Sequence, residues 1–153
     1  MAVGKKASSV KVVKATAGNI LDVFDMYKRQ WKEKPVLSEQ QEKEYYWQLI
    51  DELANPAHVV LVIQKGIRFF GFIHSFIIPK PNGQPPSLFV KTIYVLDSKR
   101  KRGNAKLLID ELIFMAGGFG IKKFDFVCDD DQVEYWSKKR KAKKITNHMT
   151  IEV

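Results

Sequence analysis

Cysteine is all but missing: Cys128 stands alone among 153 residues. One thiol closes no internal disulfide and builds no cysteine-rich metal site. Histidine is scarce as well. His58, His74 and His148 are scattered, with no metal-ligand spacing among them. No apolar run approaches the roughly 18 residues that a membrane span requires. Lys5 and Lys6 near the start are not followed by an apolar segment, so a signal peptide is not expected. Internal repeats are absent. Acidic residues are in deficit, 17 Asp and Glu against 26 Lys and Arg, for a formal net charge of +9. These absences leave a cytoplasmic chain that favours anionic partners: a phosphorylated cofactor, nucleic acid or an acidic protein.

What is present fits one domain with a real core, since 45% of the residues are hydrophobic and 28% charged. Residues 1–9 are small, polar and basic and read as a disordered tail, leaving 10–153 as the folded domain. Residues 10–14 alternate as a short strand. Ile20, Leu21, Val23, Phe24, Tyr27 and Trp31 recur at helical spacing behind Asn19, a candidate cap, and Pro35 stops that helix. Ser38 with Gln41 resembles a capping box for a second helix, which carries Tyr45, Tyr46, Leu49, Ile50 and Leu53 until Asn55-Pro56 ends it. Strands follow at 58–64 and at 67 or 68–78, turning at Lys65-Gly66, and a third spans 87–95. The pattern then gives a helix from Arg102 to about Ala116, closed by Gly117, Gly118 and Gly120. A strand is expected at 123–128, a short helix at 129–139 and a last strand at 145–153. The order is β-αα-βββ-α-β-α-β, an α/β (α+β) arrangement. It predicts a mixed, mostly antiparallel sheet with helices on both faces.

One stretch organises the rest. An apolar strand ends at Tyr94-Val95, a basic turn follows, and Gly103 and Ala105 open an amphipathic helix. Unpaired N–H groups and the helix dipole meet there, which makes the turn a candidate phosphate site. Gly103 lets backbone approach a ligand closely, and Ala105 keeps the wall small.

Arg100-Lys101-Arg102-Gly103-Asn104-Ala105 fits an Arg/Gln-x-x-Gly-x-Gly/Ala motif, with Ile93-Tyr94-Val95 upstream at the matching distance. In this strand-turn-helix setting the chain resembles the GCN5-related N-acetyltransferase (GNAT) family over most of residues 10–153. The resemblance implies transfer of an acetyl group from acetyl-coenzyme A to a primary amine by direct attack in a ternary complex, without a metal. It implies that the N–H groups from Arg100 through Gly103, Asn104, Ala105 and Lys106 cradle the pyrophosphate. It also implies that Ile93, Tyr94 and Val95 line the pantetheine, with strand backbone near Val95 as donor to the oxyanion. The acceptor is expected between the first two helices, where Tyr27, Trp31, Tyr45, Tyr46 and Trp47 lie.

The family often places a tyrosine acid in its last helix. Here Tyr135 takes that position, or Trp136 does and no acid is present. For the base, His74 is the best-placed titratable group, with a pKa suited to neutral pH. Asp129 and a water chain are the other options. Glu42 and Glu44 read as solvated, and His58 and His148 as surface or strand residues. Lys138, Lys139, Arg140, Lys141, Lys143 and Lys144 crowd into seven positions. They read as a solvated helix end or as a contact for RNA or an acidic protein. That run motivates an alternative function, a GNAT-fold basic binding module with weakened catalysis. The last strand offers an edge for a homodimer.

Overall fold

The computed structural model describes residues 9–30, 36–96 and 103–126. Its elements run β1 (Val10–Lys14), α1 (Ile20–Gln30), α2 (Glu39–Ala54), β2 (His58–Lys65), β3 (Arg68–Ile78), β4 (Ser87–Val95), α3 (Asn104–Gly118) and β5 (Lys123–Phe126). The expected order therefore holds as far as β5. The expected last helix and last strand, Cys128 and His148 lie outside the described residues.

The five strands form one sheet in sequence order, antiparallel from β1 to β4 and parallel between β4 and β5. A hairpin turn can reverse a strand, but a parallel neighbour needs a crossover, which α3 supplies. Strand alternation sends Leu61, Ile63, Ile73 and Leu88 to one face, where Leu108, Leu112 and Ala116 of α3 meet them. Val60, Val62 and Phe72 go to the other face, against Val23, Phe24 and Met26 of α1 and Leu49 of α2. Helices thus cover both faces, and burial of these side chains drives the assembly.

Local signals behave as their chemistry dictates. The Ser38 side chain accepts from Gln41 N–H at 3.2 Å while Gln41 Oε1 accepts from Ser38 N–H at 2.9 Å, a complete capping box. Asn19 differs from expectation. Its Oδ1 accepts the Thr16 N–H at 2.7 Å, so the side chain ties the turn behind the helix. The α3 boundaries also shift. Gly103 has φ 78°, a left-handed conformation that cannot continue a helix, so α3 starts at Asn104. Gly117 and Gly118 belong to the helix, and the chain closes at Phe119.

Two bulges set the site. In β3, Ile63 faces Gly71 but Gln64 faces Phe69, so Phe70 is the extra residue. In β4, Thr92 faces His74 and Val90 faces Ser75, which leaves Lys91 extra. Gly71 permits close contact between β3 and β4: a Cβ there would lie 2.8 Å from the Tyr94 carbonyl oxygen and 2.9 Å from Ile63 Cγ2.

Candidate active site

Among the described residues, β4 pairs with β5 from Ser87 to Val90. Beyond that point its pairing among the described residues is with β3. The bulge at Lys91 follows directly on the last described β4–β5 pair, Val90 with Phe126. Leu96 N–H bonds to Phe70 O at 2.9 Å. Backbone alternation then turns the groups of Val95 and Ile93 toward the edge opposite β3. The next element in the chain, α3, opens with Gly103, which provides no side-chain cap, and its first turn contains no acidic residue. Among the described residues, an ideal Cβ on Gly103 would meet nothing within 4 Å. An uncapped, open helix start at the end of a strand fits a phosphate group. Asn104 is buried and Ala105 half-buried beside it. The Lys106 ammonium is held by Asp110 at 2.7 Å. Arg100, Lys101 and Arg102 lie outside the described residues, as do Tyr135, Asp129 and the basic run 138–144.

On the α1/α2 face, the bulged registers bring His58 of β2 and His74 of β3 together. Tyr27 of α1 hydrogen-bonds through its hydroxyl to His74 Nδ1. His74 Nε2 lies 2.9 Å from His58 Nδ1 and 3.6 Å from Glu52 Oε2 of α2. Glu52 Oε1 is held by Lys91 Nζ at 3.3 Å and by Gln48 Nε2 at 3.2 Å. Phe24, Tyr27, Tyr45, Gln48, Leu49, Glu52 and Lys91 line a cleft of about 200 Å³. His74 itself has no exposed surface. It meets the cleft lining through the Tyr27 hydroxyl at Nδ1 and the Glu52 carboxylate at Nε2.

Burial controls the protonation states. His74 does not have the neutral-range pKa its type suggests. Desolvation lowers it to about 4; the Glu52 carboxylate opposes that shift, and Lys91 and His58 add to it. Desolvation also raises the Tyr27 hydroxyl far above its ordinary value, with help from Glu52, so it stays protonated. The carboxylate near Nε2 favours the ring proton at that nitrogen. Nδ1 is then the basic atom, accepting the Tyr27 O–H.

This neutral histidine ties stability to pH. Its folded pKa lies below its unfolded value of about 6.5, so the unfolded chain binds more protons between about pH 4 and 6.5. Stability is full above that window and falls as pH drops through it. With about 1.4 kcal/mol per pKa unit, the loss is on the order of 3 kcal/mol. Urea unfolding at pH 7 and pH 4.5 measures it. His74→Gln should flatten the dependence, and an unchanged slope would exclude His74 as its source.

Ligating atoms of Glu52, His58 and His74 all lie within 4.8 Å of one another. The histidines are thus less scattered than their spacing suggests. Each group already has a hydrogen-bonding or ionic partner, and the Lys91 ammonium beside Glu52 opposes a dication. No described helix is long and apolar enough to cross a membrane.

Of these residues, the sequence pattern points to His74, Tyr27 and Tyr45 and gives His58 as a surface or strand residue, while Glu52 and Lys91 are not among its candidates. A signal for Glu52 existed: it falls seven residues after Tyr45 and three after Leu49 on the inward stripe of α2.

A model of the acetyltransferase (GNAT) family matches residues 21–138. The chain is similar in fold to an aminoglycoside N-acetyltransferase, AAC(6')-Iy, in complex with coenzyme A. The TM-score is 0.80 at 14% identity, over 97% of each chain. A predicted acetyltransferase with acetyl-coenzyme A from Clostridium acetobutylicum gives a TM-score of 0.79 at 18% identity, over 94% of this chain and 96% of that one. An acetyltransferase from Trypanosoma brucei gives 0.74 at 16%, over 95% and 100%. The comparison with curated protein sequences gave no match.

Proposed function

The chain belongs to the acetyltransferase (GNAT) family, and from that premise we propose that it transfers the acetyl group of acetyl-coenzyme A to a primary amine bound in the cleft between α1, α2 and β4. The observation that carries this reading is the Tyr27–His74–Glu52 arrangement at the β4 bulge, with the open Gly103 turn further along the same strand-to-helix path. When bound, acetyl-coenzyme A supplies the thioester carbonyl. Gly103, Asn104, Ala105 and Lys106 would hold its pyrophosphate, and the outward edge of Ile93 to Val95 would hold its pantetheine arm. Two fold neighbours in complex with coenzyme A or acetyl-coenzyme A support that choice of cosubstrate.

The amine must lose a proton before or during attack. Its N–H faces the Tyr27 hydroxyl, which takes that proton as it gives its own to His74 Nδ1. Tyr27 therefore never becomes a phenolate. The imidazolium so formed points Nε2–H at Glu52 and His58; the carboxylate offsets part of the desolvation that disfavours it, so the ring holds the proton only in passing. The arrangement has the logic of a hydroxyl–histidine–carboxylate triad, with the hydroxyl acting as relay instead of nucleophile. The neutral amine would attack the thioester carbonyl carbon with β4 backbone near Val95 donating to the oxyanion, and as the C–S bond broke the adduct's nitrogen would give up its second proton, which balances the one gained by the thiolate. Tyr135 is assigned the proton that the departing thiolate takes up.

The experiment is a thioester-consumption screen over amines, with calorimetry of coenzyme A binding beside it. We expect binding together with turnover of at least one amine. No binding of acetyl-coenzyme A to the wild-type chain would overturn the proposal.

A further inference from the structure

Resting on the reading of the cleft as the acceptor site, we infer that the acceptor is a small zwitterion of the amino-acid class, an amine bearing its own carboxylate a few bonds away. The charge arrangement on the cleft wall carries this. Glu52 Oε1 has two partners, Lys91 Nζ at 3.3 Å and Gln48 Nε2 at 3.2 Å. Glu52 Oε2 has only His74 Nε2 at 3.6 Å, beyond hydrogen-bond distance, among the described residues. A carboxylate oxygen accepts about two hydrogen bonds, so Oε2 retains capacity for an incoming ammonium. The Glu52 side chain is only 18% exposed, and a carboxylate this withdrawn from water gains most from such a partner.

Lys91 completes the pair. Its ammonium has three donors and spends one on Glu52. Its side chain is 41% exposed at the cleft rim, where it can receive an acceptor carboxylate. Lys91, the extra residue of β4 at its bulge, is among the residues that line the cleft. The cleft thus presents one anion and one cation side by side, the complement of a zwitterion. Phe24, Tyr27, Tyr45 and Leu49 supply apolar walls for a side chain.

The same wall disfavours polycations. Its single carboxylate among the described lining residues is already opposed by Lys91, and the whole chain carries a formal +9. Among the described lining residues a second or third ammonium would meet Lys91 and no further carboxylate. The cleft volume of about 200 Å³ also lies below the roughly 300–1,000 Å³ of sites for drug-sized ligands. A molecule of amino-acid size fits that scale.

The test compares the twenty L-amino acids, their carboxamides and spermidine as acceptors in the thioester assay, with calorimetry of the same compounds. For at least one amino acid, kcat/KM should exceed that of its own carboxamide by tenfold or more, with spermidine a poor acceptor. Lys91→Met should bring acid and amide to near parity, and Lys91→Glu should invert the preference. Spermidine or the amides matching the acids in the wild type would overturn the inference and leave the acetyltransferase reading standing. An acid-to-amide ratio unmoved by Lys91→Met would do the same, as would coenzyme A binding with no amino acid consumed. Absence of coenzyme A binding would overturn both.

Discussion

Tyr27→Phe is expected to lower kcat by about 100-fold, the lower end of what a positioned acid–base group contributes, while coenzyme A affinity stays near that of the wild type. The reasoning starts from burial. His74 has no exposed surface and cannot touch an acceptor. Tyr27 both lines the cleft and bonds to His74 Nδ1, so deleting one oxygen cuts the proton path. The ring remains, and with it the contact to Phe72 at 4.5 Å between centroids. The fold should therefore survive. An unpaired Nδ1 in the interior costs about 1–3 kcal/mol, visible as a modest drop in the unfolding midpoint. The kinetic effect should persist at temperatures where the variant is fully folded. A kcat within threefold of wild type would show that the amine loses its proton by another route.

The contrast between the two halves of the site explains how much could be read from sequence. The Gly103 turn is local. Strand residues, a polar basic turn, a glycine and a helical pattern follow one another along the chain, and each signals itself through short-range chemistry. The relay is not local. Tyr27 and His74 are 47 residues apart and His58 and His74 are 16 apart. Their meeting depends on register. With an unbroken hairpin, continuing the pairing of Lys65 with Arg68 would set His74 opposite Val59, on the α3 face. The extra residue Phe70 shifts the pairing, so His74 stands opposite Val60 on the α1/α2 face. One bulged residue moves a histidine across the sheet, and the one hint at 69–71, a glycine inside a strand pattern, marks a bulge or a close backbone approach without distinguishing them. His58 consequently looked like an isolated strand residue. Glu52 resembled the solvated Glu42 and Glu44 in type and differed from them only in position on the helix.

The largest expected loss of binding comes from Gly103→Glu, which should weaken acetyl-coenzyme A by at least about 100-fold, equivalent to roughly 2.7 kcal/mol. Two effects must be separated here, conformation and charge. At φ 78° any side chain is strained, by roughly 1–2 kcal/mol. Yet no described residue lies within 4 Å of a Cβ at the position, and a carboxylate at a helix N-terminus gains about 0.3–1 kcal/mol from the dipole, which offsets part of that strain. The variant should therefore fold. What it loses is the anion site. The new carboxylate occupies the approach to the first-turn N–H groups and repels a pyrophosphate at close range. Gly103→Ala separates the contributions, since it carries the conformational strain without the charge. Its affinity should fall by less than that of the glutamate variant, while the two unfold at similar denaturant concentrations. Calorimetry of coenzyme A binding to both, beside urea unfolding, decides the matter. Equal affinities for the alanine and glutamate variants would mean that the turn acts through backbone shape alone. Wild-type affinity in both would remove the pyrophosphate from this helix start.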